Sequence, residues 1–273
     1  MARHHTLLRA TLGTMLLPAV GACPAPAHRV RLDPIPMRDA VDIVNHNQSM
    51  IRDTLRASGT ADGYFTSRNG RRRHFRLDAT MFVLGPACFR LDLKKFGDRQ
   101  LLVGSNAEWY WYYSKQDDAY TCGRRGAEDI RARDLPVHPD QIVDALGLGG
   151  IDSGPGPTTL VQRIEADHQQ LLLISTDDEG VPVLEKEYWI DRFTPRLVGR
   201  VMFRDPSGGV DMQSDLGEYR RLGLQGPWLP HVIRVYWPKS QALLRLDVGK
   251  WMIVDEVKAD SVQFAVPQGC YAQ

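Results

Sequence analysis

From Gly59 onward, apolar residues recur with a period of two, in short runs broken by turn residues. This confines the chain to a largely antiparallel β architecture. Phe89-Arg90-Leu91-Asp92-Leu93 shows the pattern most cleanly, with three apolar side chains on one face and two charged ones on the other. Gly63 to Ser67 and Arg72 to Leu84 flank Asn69-Gly70, the strongest short hairpin signal. Strands are expected at Leu101 to Gly104, at Glu108 to Tyr113 after a Ser105-Asn106 turn, and over 119–125. The second half adds 160–166, 169–176, 183–192, 196–205, 209–222, 229–237, 241–248 and 250–258. Asp177 to Gly180, Asp205 to Gly209 and Pro238 to Ser240 are turn clusters between them.

Only two segments carry a helical period. Over 36–57, Met37, Val41, Val44, Ile51 and Leu55 form one apolar stripe, entered at Pro34 and Pro36 and stopped at Gly59. Over 138–147, Ile142, Val143 and Leu146 give the apolar face and Gly147 the stop. His138-Pro139-Asp140 repeats a co-chaperone tripeptide outside its helical setting, so His138 is read as a helix-entry residue. With so few helices, a parallel sheet is disfavoured.

The N-terminus points to export. Arg3, His4, His5 and Arg9 are a basic start, and Ala10 to Val20 are uncharged, which suits a signal sequence and is too short for a membrane span. Val20-Gly21-Ala22-Cys23 resembles the bacterial lipobox, in which the cysteine is acylated. Ala25-Pro26-Ala27 offers an ordinary cleavage site instead, giving a soluble exported form. The first reading divides the chain into a signal peptide (1–22), a lipid anchor and Pro-rich tether (23–35) and one domain (36–273). Pro24 after the cysteine, in place of a retention-type Asp, favours the outer membrane, facing the periplasm.

Without residues 1–22 the chain has 32 Lys+Arg against 33 Asp+Glu, no footprint for nucleic acid. With Cys23 acylated, Cys88, Cys122 and Cys270 remain, so one disulfide at most can form, and the spacing does not choose it. No metal-ligand spacing, nucleophile motif or phosphate loop occurs; neither a cofactor nor enzymatic activity is expected.

Leu84-Gly85-Pro86-Ala87-Cys88-Phe89-Arg90-Leu91, the Leu101-Leu102-Val103 strand and Trp109-Tyr110-Trp111-Tyr112-Tyr113 follow an amphipathic helix. Tyr188-Trp189-Ile190-Asp191 with Thr194-Pro195, then Leu229-Pro230-His231-Val232-Ile233, come later. This order resembles the LolA/LolB-like periplasmic lipoprotein-carrier superfamily over roughly 36–267, although Ser105-Asn106-Ala107 stands where those carriers have an Asp-Gly turn. The resemblance implies a mainly β (α+β) fold: a strongly curved antiparallel sheet, an incomplete barrel, with helices on its concave side. It also implies a monomer that takes acyl lipid or a lipoprotein as cargo between sheet and helices.

Alternation nominates the inward-facing residues. They are Phe89, Leu91, Leu93, Trp109, Trp111, Tyr113, Tyr188, Ile190, Val201, Phe203, Ile233, Val235, Leu244 and Leu246, with Val248 continuing the last run. Each is by default plain core, because most alternating apolar residues only fill space. The aromatic run 109–113 is the best cargo candidate, because it puts large rings on both faces, more than one buried face requires. Arg71-Arg72-Arg73-His74 suits either anionic headgroups or a solvated hairpin tip.

Overall fold

The computed structural model describes residues 30–66, 70–125, 139–151, 158–177 and 179–270. The signal, Cys23, Ala25 to Ala27 and His138 lie outside them. Helix α1 (Met37–Ser49) leads into β1 (Leu55–Thr66), β2 (Arg72–Leu84), β3 (Cys88–Lys95), β4 (Asp98–Ser105), β5 (Trp109–Ser114) and β6 (Ala119–Arg124). Helix α2 (Pro139–Ala145) precedes β7 (Thr159–Ile164), β8 (His168–Thr176), β9 (Pro182–Asp191), β10 (Val198–Arg204) and β11 (Val210–Gly217). A small hairpin of β12 (Arg220–Arg221) and β13 (Trp228–Leu229) follows, then β14 (Val232–Trp237) and β15 (Ala242–Ile253).

Thirteen strands form one antiparallel sheet in the order β6, β5, β4, β3, β2, β1, β15, β14, β11, β10, β9, β8, β7. The sheet is curved and does not close into a barrel. The chain therefore starts at the centre, walks out to the β6 edge, reaches the β7 edge by way of α2, and walks back to the centre. At the central seam, a Cβ on Gly59 would lie 2.1 Å from the Asp247 carbonyl oxygen, so only glycine admits this approach of β15. The register slips there, Ser58 facing Lys250 and Gly59 facing Val248, which leaves Gly249 as a bulge. The two strands expected at 241–248 and 250–258 are thus one, and Gly59 lies within a strand rather than ending a helix.

The first helix also stops earlier than its apolar spacing suggests. It ends at Ser49, whose hydroxyl donates to the His46 carbonyl, and Leu55 already belongs to β1. Ile51 and Leu55 are buried as the entry to that strand. Helix α2 ends at Ala145, and Gly147, the expected stop, lies in the turn just after it with φ 70°, where the Leu148 N–H donates to the Val143 carbonyl.

Both helices lie on the concave face. Ala40, Val41 and Val44 of α1 and Ile142, Val143 and Leu146 of α2 join the inward residues of the sheet in one core. Residues 32 and 35, which the sequence assigns to the tether, are hydrogen-bonded to the domain. The Leu32 N–H donates to the Arg192 carbonyl, the Arg192 guanidinium donates back to the Leu32 carbonyl, and the buried Gln169 carboxamide clasps both backbone groups of Ile35.

The outer face of β4 to β6 has a second, smaller core. Leu102, Trp111 and Cys122 pack there with Trp109, Tyr113, Tyr120, Val266 and Cys270. The segment after β15 crosses to cover it. Its carbonyls accept from the Thr54 hydroxyl at Val257, from Arg90 at Gln263 and from Asn106 at Phe264, and it ends in a Cys122–Cys270 disulfide. Cys88 stays a buried thiol whose pKa burial pushes up, against the opposing pull of Arg125.

Candidate functional site

The concave face between sheet and helices gathers most of the nominated residues. Phe89, Leu91, Leu93, Tyr188, Ile190, Val201, Phe203, Ile233, Val235, Leu246 and Val248 are all buried in the main core, with Leu244 half-buried against it. Trp109, Trp111 and Tyr113 are not among them. Cross-strand register pairs Leu91 with Val103 and Val103 with Tyr112, so Tyr112 shares the concave face and its odd-numbered neighbours point outward. The surplus of rings at 109–113 is explained by the tail, which supplies a second buried face. Trp111 lies flat on Gly104, where a Cβ would meet the indole at 2.4 Å. The missing Asp-Gly turn is also accounted for: the Asn106 carboxamide oxygen accepts the N–H groups of Glu108 and Trp109 and forms the turn by itself.

At the centre of the concave face, among the described residues, a mainly apolar pocket lined by Ala57, Ala79, Met81, Leu91, Leu246 and Val248 measures about 10 Å³, roughly the room one water needs. The small side chains of Ala57, Ala61 and Ala79 make the floor shallow at the seam.

The lid is held by polar clasps, and these are the residues that apolar periodicity could not nominate. The Asn45 carboxamide donates to the Ile151 carbonyl at 2.9 Å and accepts the Ile151 N–H at 2.7 Å, joining α1 to the strand-like exit of α2. Asn47 makes the same paired contact with Trp228 of β13, at 3.0 and 2.7 Å. The Ser214 hydroxyl donates to the Ala145 carbonyl at the end of α2. Lys186 is an exception on the inner face of β9: its ammonium pairs with Asp144 of α2 and lies 5.2 Å from the Phe203 ring centre. Its parity with Tyr188 and Ile190 was the one available sequence signal. Burial, with the Asp144 carboxylate nearby, raises the Tyr188 pKa well above its ordinary value.

At the basic hairpin, Arg72 stacks on Tyr64 at 3.4 Å and His74 pairs with Asp62 at 3.1 Å, with all four basic residues 71–74 exposed. Among the described residues there is no cluster of three or more potential metal ligands, and no helix is long and apolar enough to cross a membrane.

The arrangement matches known folds. A domain from Vibrio parahaemolyticus described as an outer membrane lipoprotein-sorting protein domain superimposes with a TM-score of 0.52 at 10% identity, covering 81% of this chain and 94% of that one. A DUF1329 family protein from Desulfovibrio piger gives 0.51 at 11% identity, covering 82% and 96%. No family model and no curated protein matches the chain. At these identities the likeness is one of fold, and it agrees with the curved antiparallel sheet and concave-side helices expected from the sequence.

Proposed function

From a fold shared with a lipoprotein-sorting domain, we propose that this is a non-catalytic envelope protein that holds lipid acyl chains, free or on a lipoprotein, between the concave sheet and its two-helix lid. The observation that carries this reading is the nature of the lid. Among the described residues, an apolar sheet face is covered by two short helices and the small β12–β13 hairpin, fastened through a few polar clasps. Cargo entering beneath the lid exchanges one set of apolar contacts for another, so the main cost is the clasps. The five clasp hydrogen bonds at about 1 kcal/mol each are of the same order as ten buried methylenes at about 0.8 kcal/mol each.

Nominated inward residues such as Phe89, Tyr188, Phe203 and Ile233 would line the opened space. We place Cys23 as the acylated anchor of an outer membrane protein facing the periplasm. The protein accepts or presents cargo at one membrane.

The small volume of the pocket at the sheet centre favours a second reading, a self-filled sheet that serves as an interaction module. Native mass spectrometry and lipid extraction of protein purified without added detergent separate the two. Co-purified acyl lipid at near one per chain supports the carrier. A lipid-free protein that also takes up no added fatty acid or lipopeptide refutes it.

A further inference from the structure

We propose that the outer face of β7 to β10 carries a binding groove for a neutral saccharide, on the opposite side of the sheet from the lid. The groove has a volume of about 440 Å³, within the range of small-ligand sites. Cross-strand register sets Arg163 beside Gln170 and Gln170 beside Trp189, and His168, Glu187 and Arg204 complete the walls.

Its cations are already matched. Arg204 pairs with Glu187 at 2.5 Å, Arg163 with Glu165 at 2.6 Å, and His168 with Asp191 at 3.4 Å. An anion therefore finds no spare cation, and the Asp167 carboxylate on the lining, in no ion pair among the described residues, adds a hydrogen-bond acceptor. What remains open is hydrogen-bonding capacity around an aromatic ring. Gln170 is only 4% exposed and lines the groove, yet its carboxamide makes no hydrogen bond among the described residues. The residue as a whole is buried, but its amide atoms are not sealed from the groove, so unused donors and an unused acceptor are held open there. The buried Glu187 carboxylate takes Arg204 on one oxygen and the Trp189 indole N–H, at 3.3 Å, on the other, leaving further lone pairs.

Trp189 is half-buried and fixed, with the Arg200 guanidinium 5.0 Å and the His168 ring 5.6 Å from its ring centre. The rim is fixed too: the buried Arg192 guanidinium donates to the carbonyls of Glu165 at 2.9 Å and Ala166 at 3.0 Å in the β7–β8 turn. A preset aromatic ring beside mixed donors and acceptors, with carboxylates in slight excess and no spare cation, fits the C–H groups and hydroxyls of a sugar, and preorganisation lowers the cost of binding it.

The test is calorimetric titration of the purified full chain with chitotriose and with maltotriose, alongside sedimentation with phosphatidylcholine vesicles with and without a digalactosyl lipid. Saturable binding of a trisaccharide at millimolar or lower concentration supports a soluble glycan ligand. Binding confined to the sugar-bearing vesicles supports a glycolipid headgroup. In either case Gln170→Ala should weaken binding at least about tenfold, the loss of one or two hydrogen bonds, and Trp189→Ala should abolish it, while the lid variant Asn45→Ala leaves it unchanged. Gln170→Leu should unfold at no lower denaturant concentration than the parent, because the fold does not use the amide. Absence of binding in both arms, binding indifferent to Gln170→Ala, or a marked loss of stability in Gln170→Leu would overturn the proposal.

Discussion

Replacing Asn45 with alanine should loosen the lid and leave the sheet intact. The side chain makes two hydrogen bonds to the backbone of Ile151, a buried residue whose N–H and C=O have no other partner among the described residues. At about 1 kcal/mol each, their loss costs ~2 kcal/mol, which is about a thirtyfold shift in the local opening equilibrium. Because the contacts join α1 to the segment after α2 and touch no strand of the central seam, the effect belongs to a local opening and not to global unfolding. Hydrogen exchange read by mass spectrometry resolves the two. Protection across 37–50 and 139–151 should fall about thirtyfold, while β1 and β15 exchange as before. Unchanged protection over the helices would show that the clasps do not hold the lid. An equal loss over the central strands would show that lid and sheet are a single cooperative unit, and the carrier reading would lose its moving part.

Other expectations follow from the outer face. Cys122 and Cys270 close a loop of 148 residues, so Cys122→Ser should lower stability by up to about 5 kcal/mol on the chain-entropy estimate; urea unfolding of the variant, and of the parent with and without reductant, measures it. Gly104→Ala drives a Cβ into the Trp111 indole and should cost about 1–3 kcal/mol, with a change in near-ultraviolet circular dichroism marking the displaced ring. Asp92 is buried, which opposes its charge, but Arg99, Lys94 and Arg90 outweigh burial and hold its pKa below the ordinary 3.8. A carboxylate depressed in the folded state contributes stability that is complete above the unfolded value and is lost as pH falls through the lower folded one. Asp92→Asn should therefore cost ~3 kcal/mol at neutral pH, and its difference from the parent should vanish in acid, as pH-dependent denaturation curves will show.

Much of the fold was legible because parity along a single strand is a local property. Phe89, Leu91 and Leu93 fell on the concave side as read, as did Tyr188, Ile190, Val201 and Phe203. Parity between strands is different. Which face of Trp109 to Tyr113 looks inward depends on the register of β3 with β4 and of β4 with β5, and no run of residues in β5 encodes that. The end of α1 was misjudged for a related reason: burial of Ile51 and Leu55 satisfies a helical stripe and a strand entry alike. The disulfide partner was undecidable from spacing, since it is set by where the tail crosses β6. The clasps were out of reach because Asn45, Asn47 and Gln169 read as surface polar residues until the backbone groups they meet, some of them more than 100 positions away, are placed beside them.

The order of the strands has a consequence for how the protein is made. Every neighbouring pair in the sheet except one lies close in sequence, so each half can fold as a meander from hairpins that close rapidly. The exception is the central seam, where Leu55 meets Ile253 across 198 positions. As the chain emerges from its N-terminus, the inner edge of β1 stays unpaired until almost the last residues have arrived. Throughout that interval the nascent chain presents an open strand edge to any other unfolded chain. The molecule is completed from its middle, and a chain that stops short of β15 has two half-sheets and no centre.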